Sequence, residues 1–393
     1  MSRIPPHQVS LIGKHLLVVA NAYPSDSAIY RNGFIHRRVK AYQAAGYTVT
    51  VYYLHPPAKT QSSYEYDGVI MLLGNELTYA RFISMTNYDE YLIHFVSPAM
   101  VEPIRKYQPR ARLIIWIHGF EAVAWHRRWF NFIQSPKSIR DTVARRRGHY
   151  DTQIRFLQWL YTTDELDIVF IQVSEWFQKN VVEPDAGITI PRSRVIPNMI
   201  DTEVFDYVPK PPEQRFRILS IRPYASRKYA NDQTVQAIRL LSEKPYFKKL
   251  TFTLFGQGPL FDDTVAAVSH YGNVHITKEF LTQEEIAEQH KSHGVFVCPT
   301  RFDSQGVSMC EAMSSGLVPV SSDVAAIPEF VSHGETGLLA RPESAEDIAF
   351  WIERLYYNPD LFSRISNSIQ QHVRSTLSTN VILDQELEVI EAR

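Results

Sequence analysis

Short runs of apolar residues alternate along this chain with longer stretches in which apolar positions recur at helical spacing. HLLVVA (15–20), TVTVYYL (48–54), YLIHFV (91–96) and RLIIWIH (112–118) are nearly continuous in apolar side chains, which predicts strands buried on both faces of a parallel sheet. Between the first two, residues 31–45 carry the pattern of a crossover helix. The rhythm restarts after 205, where FRILSI (216–221), TFTLF (251–255), VFVCP (295–299) and VPVSS (318–322) read as strands. Helices are expected over 230–242, 260–270 and 283–291. Two α/β units therefore follow one another, joined by YVPKPP (207–212), which has the stiff, exposed composition of a linker. The expected division is 1–206, 207–375 and a C-terminal helix over 376–393 that packs back on the first unit. No repeat with a period of 20–50 residues is visible, which disfavours a solenoid.

Length agrees with two units, because 393 residues exceed what one hydrophobic core serves, and a cleft between domains is expected. No apolar run reaches the ~18 residues that span a bilayer. The start, MSRIPPHQVSLIGKHLLVVA, shows no small-residue cleavage signal, so export is not expected. Cys298 and Cys310 stand in apolar surroundings away from any metal-ligand spacing, which argues against a disulfide scaffold or zinc site and fits a reducing cytoplasm.

Charge changes the picture in one region. Residues 100–160 hold 12 Lys and Arg against 4 Asp and Glu, although the whole chain carries only −1. WHRRWFNFIQ (125–134) sets Trp125, Trp129, Phe130, Phe132 and Ile133 among Arg127 and Arg128, and Lys137, Arg140, Arg145, Arg146 and Arg147 continue along a predicted helix. Cations mixed with interfacial aromatics are the composition of a surface that attaches to an anionic membrane or an anionic lipid-linked ligand. The alternative is a solvated helix face over aromatics that belong to the core. Nucleic acid is not an expected partner.

The candidate chemistry lies mostly in the second unit. FGQGP (255–259) follows a strand and opens a helix, as suits amides that approach a phosphate, with Gly256 and Gly258 as turn formers or ligand contacts. Phe261 occupies the place where a dinucleotide fingerprint needs its last glycine, so an NAD-type site is disfavoured. PTRFDSQGVSMCEAMSSGLVPV (299–320) is more specific: a strand ends in a turn with Asp303 and Gly306, and Val307 opens a helix that bears Glu311. With PNMIDTEVF (197–205) and IPEFVSHGETGLLARP (327–342), this segment resembles the family-4 glycosyltransferases of the GT-B fold. Their signature is an acidic residue, seven residues, then Glu before Ala-Met-x-x-Gly. The resemblance covers essentially the whole chain and is densest over 195–360.

It implies a retaining transferase with two Rossmann-like domains facing across a cleft, a nucleotide-sugar donor with UDP weakly preferred, and a glycan or lipid-linked acceptor. It implies no cofactor and no metal. Glu311 would accept the ribose hydroxyls and Asp303, where the family usually has Glu, the sugar hydroxyls. In SIRPYASRKYAND (220–232), Arg222 and Lys228 would meet the diphosphate, with Arg227 as substitute because the spacing is offset by one. Phe280 and Leu281 match the base-binding turn, Gly33 the first glycine loop, and His118, in IIWIHGFE (114–121), the histidine near the reactive centre. Two other functions fit the same motifs: a catalytically silent nucleotide-sugar-binding protein, or a GT-B epimerase, which the Ala-Met-x-x-Gly segment disfavours.

Overall fold

The computed structural model describes residues 14–392 apart from Ser27 and Tyr30. Most of the N-terminal segment read for an export signal lies outside them. The first sheet holds β1 (His15–Ala20), β2 (Thr48–Leu54), β3 (Ser62–Tyr66), β4 (Val69–Gly74), β5 (Glu90–His94), β6 (Arg112–Ile117), β7 (Asp167–Gln172) and β8 (Ser193–Val195). Its order is β3-β4-β2-β1-β5-β6-β7-β8, and all neighbours are parallel except β3 and β4. The second sheet holds β9 (Arg217–Ile221), β10 (Thr251–Phe255), β11 (Val274–Thr277), β12 (Val295–Val297), β13 (Val318–Ser322) and β14 (Leu338–Ala340), ordered β11-β10-β9-β12-β13-β14 and wholly parallel.

Strands with continuous apolar runs are the central ones. Helices cover both faces of each sheet, so a residue such as Leu17 or Val18 meets a helix whichever way it points, and both are fully buried. Each sheet reverses direction once. In the first, the chain builds outward from β1 through β2 and returns to add β5 on the other flank; in the second, β9 and β12 flank the same kind of reversal. Such switch points open a crevice at the carboxyl ends of the strands. The two crevices face each other, because Ser304, beyond β12, donates from Oγ to the carbonyl of His118, just beyond β6, at 2.5 Å.

Two expectations needed revision. The helix expected over 260–270 runs only from Phe261 to Val265 and then gives way to turns, where the tract Ser269-His270-Tyr271-Gly272 offers poor helix formers. The linker is not uniformly exposed: Lys210 is buried and donates from Nζ to the His290 carbonyl at 2.5 Å, and burial pulls its ammonium down to about 8. Thr379–Glu391 forms a helix whose Glu386 is fully buried against Arg38 and Tyr42 of the first unit. Among the described residues, no helix is long and apolar enough to cross a membrane.

Candidate functional site

Arg222 follows β9 and Asp303 follows β12, the two strands at the second switch point, so the topology alone brings them together. Arg222 is buried and donates from Nη1 to Ser308 Oγ at 3.0 Å, while its Nε and Nη2 are buried without a partner among the described residues. Unmade hydrogen bonds on a buried guanidinium are costly, and an anion in the crevice would satisfy them.

Asp303 has a local task. Its Oδ1 accepts from the amides of Gly306 at 2.9 Å and Gln305 at 3.2 Å, which fixes the turn before the helix Val307–Ser314. Gly306 stands at φ 82°, and a Cβ there would lie 2.9 Å from Ile327 Cδ1. The turn therefore favours glycine chiefly on conformational grounds, since the Ile327 methyl can give way to a Cβ. First-turn amides of a helix have no acceptor within it, and Val307 and Ser308 supply two of them at the cleft.

Glu311 lies one turn along that helix and is buried. Its Oε1 accepts from Arg37 Nη2 of the first unit at 2.9 Å, with both side chains about nine-tenths buried. Burial pushes the Glu311 carboxyl up and Arg37 opposes that shift. Arg37 Nε and Nη1 are buried without a partner among the described residues, so a guanidinium with unmade hydrogen bonds reaches the helix Val307–Ser314 from each unit, Arg222 at Ser308 and Arg37 at Glu311. Sequence reasoning missed Arg37. Its only signal was a cation four residues after Gly33, one helical turn beyond the loop expected at the donor.

The loop with Arg227 and Lys228 is held from β12. The Lys228 carbonyl accepts from the Arg301 amide at 2.8 Å and from Thr300 Oγ1 at 3.1 Å, and Arg301 Nη1 reaches the Arg227 carbonyl at 2.7 Å. Arg301 also grips Asp232 and Glu343 through four contacts of 2.7–2.8 Å. Arg227 joins this scaffold by pairing with Asp232 at 3.6 Å. Lys228 Nζ sits 4.9 Å from the Tyr229 ring and has no carboxylate partner among the described residues. The two cations are thus unequal: Arg227 is tied to the loop's support and Lys228 is available to a ligand.

Gly256 and Gly258 have a structural reason to be glycine. A Cβ at Gly256 would lie 2.0 Å from the Arg222 carbonyl oxygen, and one at Gly258 would lie 2.4 Å from the Tyr224 carbonyl carbon. They let this loop press against the one that carries Arg222. Leu281 is part of the second core and Phe280 is exposed. Thr282 then caps the helix Gln283–Ser292 in a reciprocal capping box with Glu285. Gly33 opens the first helix, Gly33–Ala44, and faces this turn: a Cβ on it would lie 3.8 Å from Gln283 Nε2.

His118 is buried, and its Nε2 lies 2.9 Å from His94 Nδ1. Burial, with His94 and Arg38 adding to it, keeps His118 well below the ordinary histidine range and therefore neutral. Its Nδ1 has no partner among the described residues. Nearby Glu121 turns back on the chain, accepting from the amides of His118 at 2.5 Å and Gly119 at 3.0 Å, and burial raises its carboxyl to about 7.

The basic, aromatic segment divides between its two readings. Phe130 is buried, with its ring 6.4 Å from Phe302 of the second unit. Trp129, Ile133, Ile139 and Val143 are exposed, as are Lys137, Arg140, Arg145, Arg146 and Arg147. On the helix Pro136–Arg145 only Thr142 is buried, and Ile139 and Val143 lie one turn apart on its open side.

Comparison with known proteins agrees with this layout. Residues 215–358 match the family "Glycosyl transferases group 1". The chain is 25% identical over 267 residues to an MMP alpha-(1->4)-mannosyltransferase of Mycolicibacterium hassiacum, covering 67% of this chain and 58% of the relative. It is 24% identical over 243 residues to the amylovoran biosynthesis glycosyltransferase AmsK of Erwinia amylovora, covering 59% and 57%. The chain thus spans less than two thirds of the length of these relatives. Among solved structures, sucrose-phosphate synthase of Thermosynechococcus elongatus superposes with a TM-score of 0.75 at 16% identity, over 96% of this chain and 98% of that one. Anabaena HepE, solved with UDP and glucose, gives 0.71 at 13% identity over 96% and 99%. The fold is GT-B, and within its second unit residues 215–358 match the glycosyl transferases group 1 family.

Proposed function

We propose that this chain transfers a sugar from a nucleoside diphosphate sugar to a glycan or lipid-linked acceptor, with the donor held at the second switch point. One observation carries the reading: a buried carboxylate, Glu311, and the unsatisfied guanidinium donors of Arg222 and Arg37 converge on one crevice. A ribose diol matches the carboxylate, and a diphosphate matches the guanidinium groups. Lys228 and the helix start at Val307 add cation and amide donors where negative charge grows as the diphosphate leaves. Arg227 substitutes for Lys228 only by abandoning Asp232. Asp303 has Oδ2 left for a sugar hydroxyl, and neutral His118 offers Nδ1 beside the reacting centre.

UDP is the preferred nucleotide, in keeping with the UDP complex of HepE. Retention of configuration rests on the motif resemblance of residues 299–320. The first unit would bind the acceptor, and the exposed cations and apolar side chains of 129–147 would hold the protein at the anionic inner face of a membrane. The test is release of nucleoside diphosphate from a panel of UDP-, GDP- and ADP-sugars in the presence and absence of candidate acceptors. Acceptor-dependent release supports transfer. Nucleotide binding without turnover on any donor would leave a silent binder, and the anomeric proton coupling of the product decides retention.

A further inference from the structure

The first sheet has its own switch point, between β1 and β5, and a cavity of about 210 Å3 opens there. Asn21 leaves β1 into its wall, Phe95 follows β5, and Phe120, Glu121, Arg128 and Gln153 are among the other lining residues. The volume is below the ~300–1,000 Å3 of pockets for drug-sized ligands, so it has room for about one ring.

Phe95 has φ 56°, a left-handed conformation that is strained for a bulky residue and persists where its surroundings impose it. Its ring stacks on Phe120 at 5.1 Å and 21° and lies 4.7 Å from His118. Phe120 is 56% exposed. An aromatic face held open to solvent beside the reacting centre can take the C–H face of a sugar while the hydroxyls reach the polar wall. Arg128 sits next to it. Its Nη2 is fixed by the carbonyls of Phe120 and Val123, its Cζ lies 4.5 Å from the Tyr150 ring, and its Nε is buried without a partner among the described residues. Glu121 does not supply that partner, because both of its oxygens accept backbone amides.

We infer that this cavity is the acceptor subsite and that it takes a phosphorylated sugar, with the ring against Phe120 and the phosphate at Arg128. The inference rests on the transferase reading above. A phosphate group satisfies a lone buried guanidinium N–H better than a hydroxyl does, and Arg145 acts with Arg128 on His149 of the lining, which sets cations beside the carboxylates of Glu76 and Glu121. Such a group belongs either to a free sugar phosphate or to a sugar joined to a lipid through diphosphate.

The test uses the full chain saturated with UDP and calorimetric titration of hexose phosphates, the matching free hexoses and inorganic phosphate. A second arm adds a polyprenyl diphosphate sugar in detergent micelles. At least one phosphorylated probe should bind about tenfold or more tightly than the free hexose or phosphate alone. Arg128→Met should abolish that preference, Phe120→Ala should weaken every sugar probe, and UDP affinity should hold in both variants. Binding in the first arm identifies a soluble acceptor, and binding in the second alone identifies a lipid-linked one. If UDP binds but neither arm shows a phosphate preference, or if Arg128→Met leaves the preference intact, the subsite is overturned and the transferase reading stands. If no nucleotide binds, the transferase reading itself fails.

Discussion

Glu311→Gln, alone and combined with Arg37→Met, probes the centre of the proposed donor site. At 2.9 Å the attraction between the two charges is about 6 kcal/mol at an effective dielectric of about 20, before desolvation is counted. Burying each ion returns several kcal/mol, so the net coupling in a double-mutant cycle should be only about 1–3 kcal/mol. Arg37→Met alone leaves Glu311 buried and uncompensated, which should cost roughly 3–5 kcal/mol, and Glu311→Gln should recover part of that loss in the double variant. Nucleotide binding adds a separate effect. Hydrogen bonds from ribose hydroxyls to a carboxylate contribute ~1.5–3 kcal/mol more than no bond, so UDP should bind folded Glu311→Gln about ten to a hundred times more weakly. Urea unfolding of the four proteins gives the coupling, and calorimetric titration gives the UDP affinities. A coupling below about 0.5 kcal/mol together with unchanged UDP affinity in Glu311→Gln would refute both the pair's structural weight and the ribose assignment.

Lys228→Ala should lower kcat more than it raises KM, whereas Arg227→Ala should mainly loosen the loop; the opposite result would place Arg227 at the diphosphate. The Glu121 carboxyl, raised from 4.5 to about 7, gives stability that is full below pH 4.5 and lost as pH climbs through 7. Wild type should therefore lose about 2–3 kcal/mol more than Glu121→Gln between pH 5 and pH 8, and parallel urea profiles would show that the shift is absent. Co-sedimentation should occur with anionic but not zwitterionic vesicles, weaken as salt rises, and fall when Arg145, Arg146 and Arg147 are changed to Glu. Salt-independent binding, or none to anionic vesicles at low salt, defeats the membrane proposal.

The strands were readable because parallel strands in a covered sheet advertise themselves as continuous apolar runs, and TVTVYYL and VPVSS occupy β2 and β13 residue for residue. β3 was not, since SSYEY alternates exposed and half-buried positions at a sheet edge and has no apolar run to detect. Candidates for the C-terminal half of the proposed site could be named because they lie within one 22-residue segment and the loops beside it. Arg37 and Arg301 were hidden for a different reason. Each finds its partners far along the chain, Glu311 at a separation of 274 residues and Asp232 at 69, and no local spacing records such a pair. The divided fate of Phe130 and Trp129 was equally out of reach, because burial there depends on Phe302 arriving from the other domain.

PNMIDTEVF, none of whose residues was singled out as a ligand contact, gains its reason from the same long-range contacts. Asn198 donates from its amide and from Nδ2 to Gln305 Oε1, both at 2.7 Å, and its carbonyl accepts from Gln305 Nε2 at 3.0 Å. Its Oδ1 accepts from Arg38, which also grips Glu386 at 2.8 Å. Ile200 and Phe205 are fully buried in the second core, and Ser314, at the end of the Glu311 helix, donates to the Phe205 carbonyl at 2.7 Å. One segment thus ties the first helix, the C-terminal helix and the turn before Glu311 into a buried polar network. Such a network stabilises only the arrangement in which its members meet their partners, since any other leaves buried charge exposed to a low dielectric without compensation. Arg37 and Arg38 divide the work between adjacent positions of one helix: Arg38 fixes how the domains sit, and Arg37 uses that fixed geometry to reach Glu311 across the cleft.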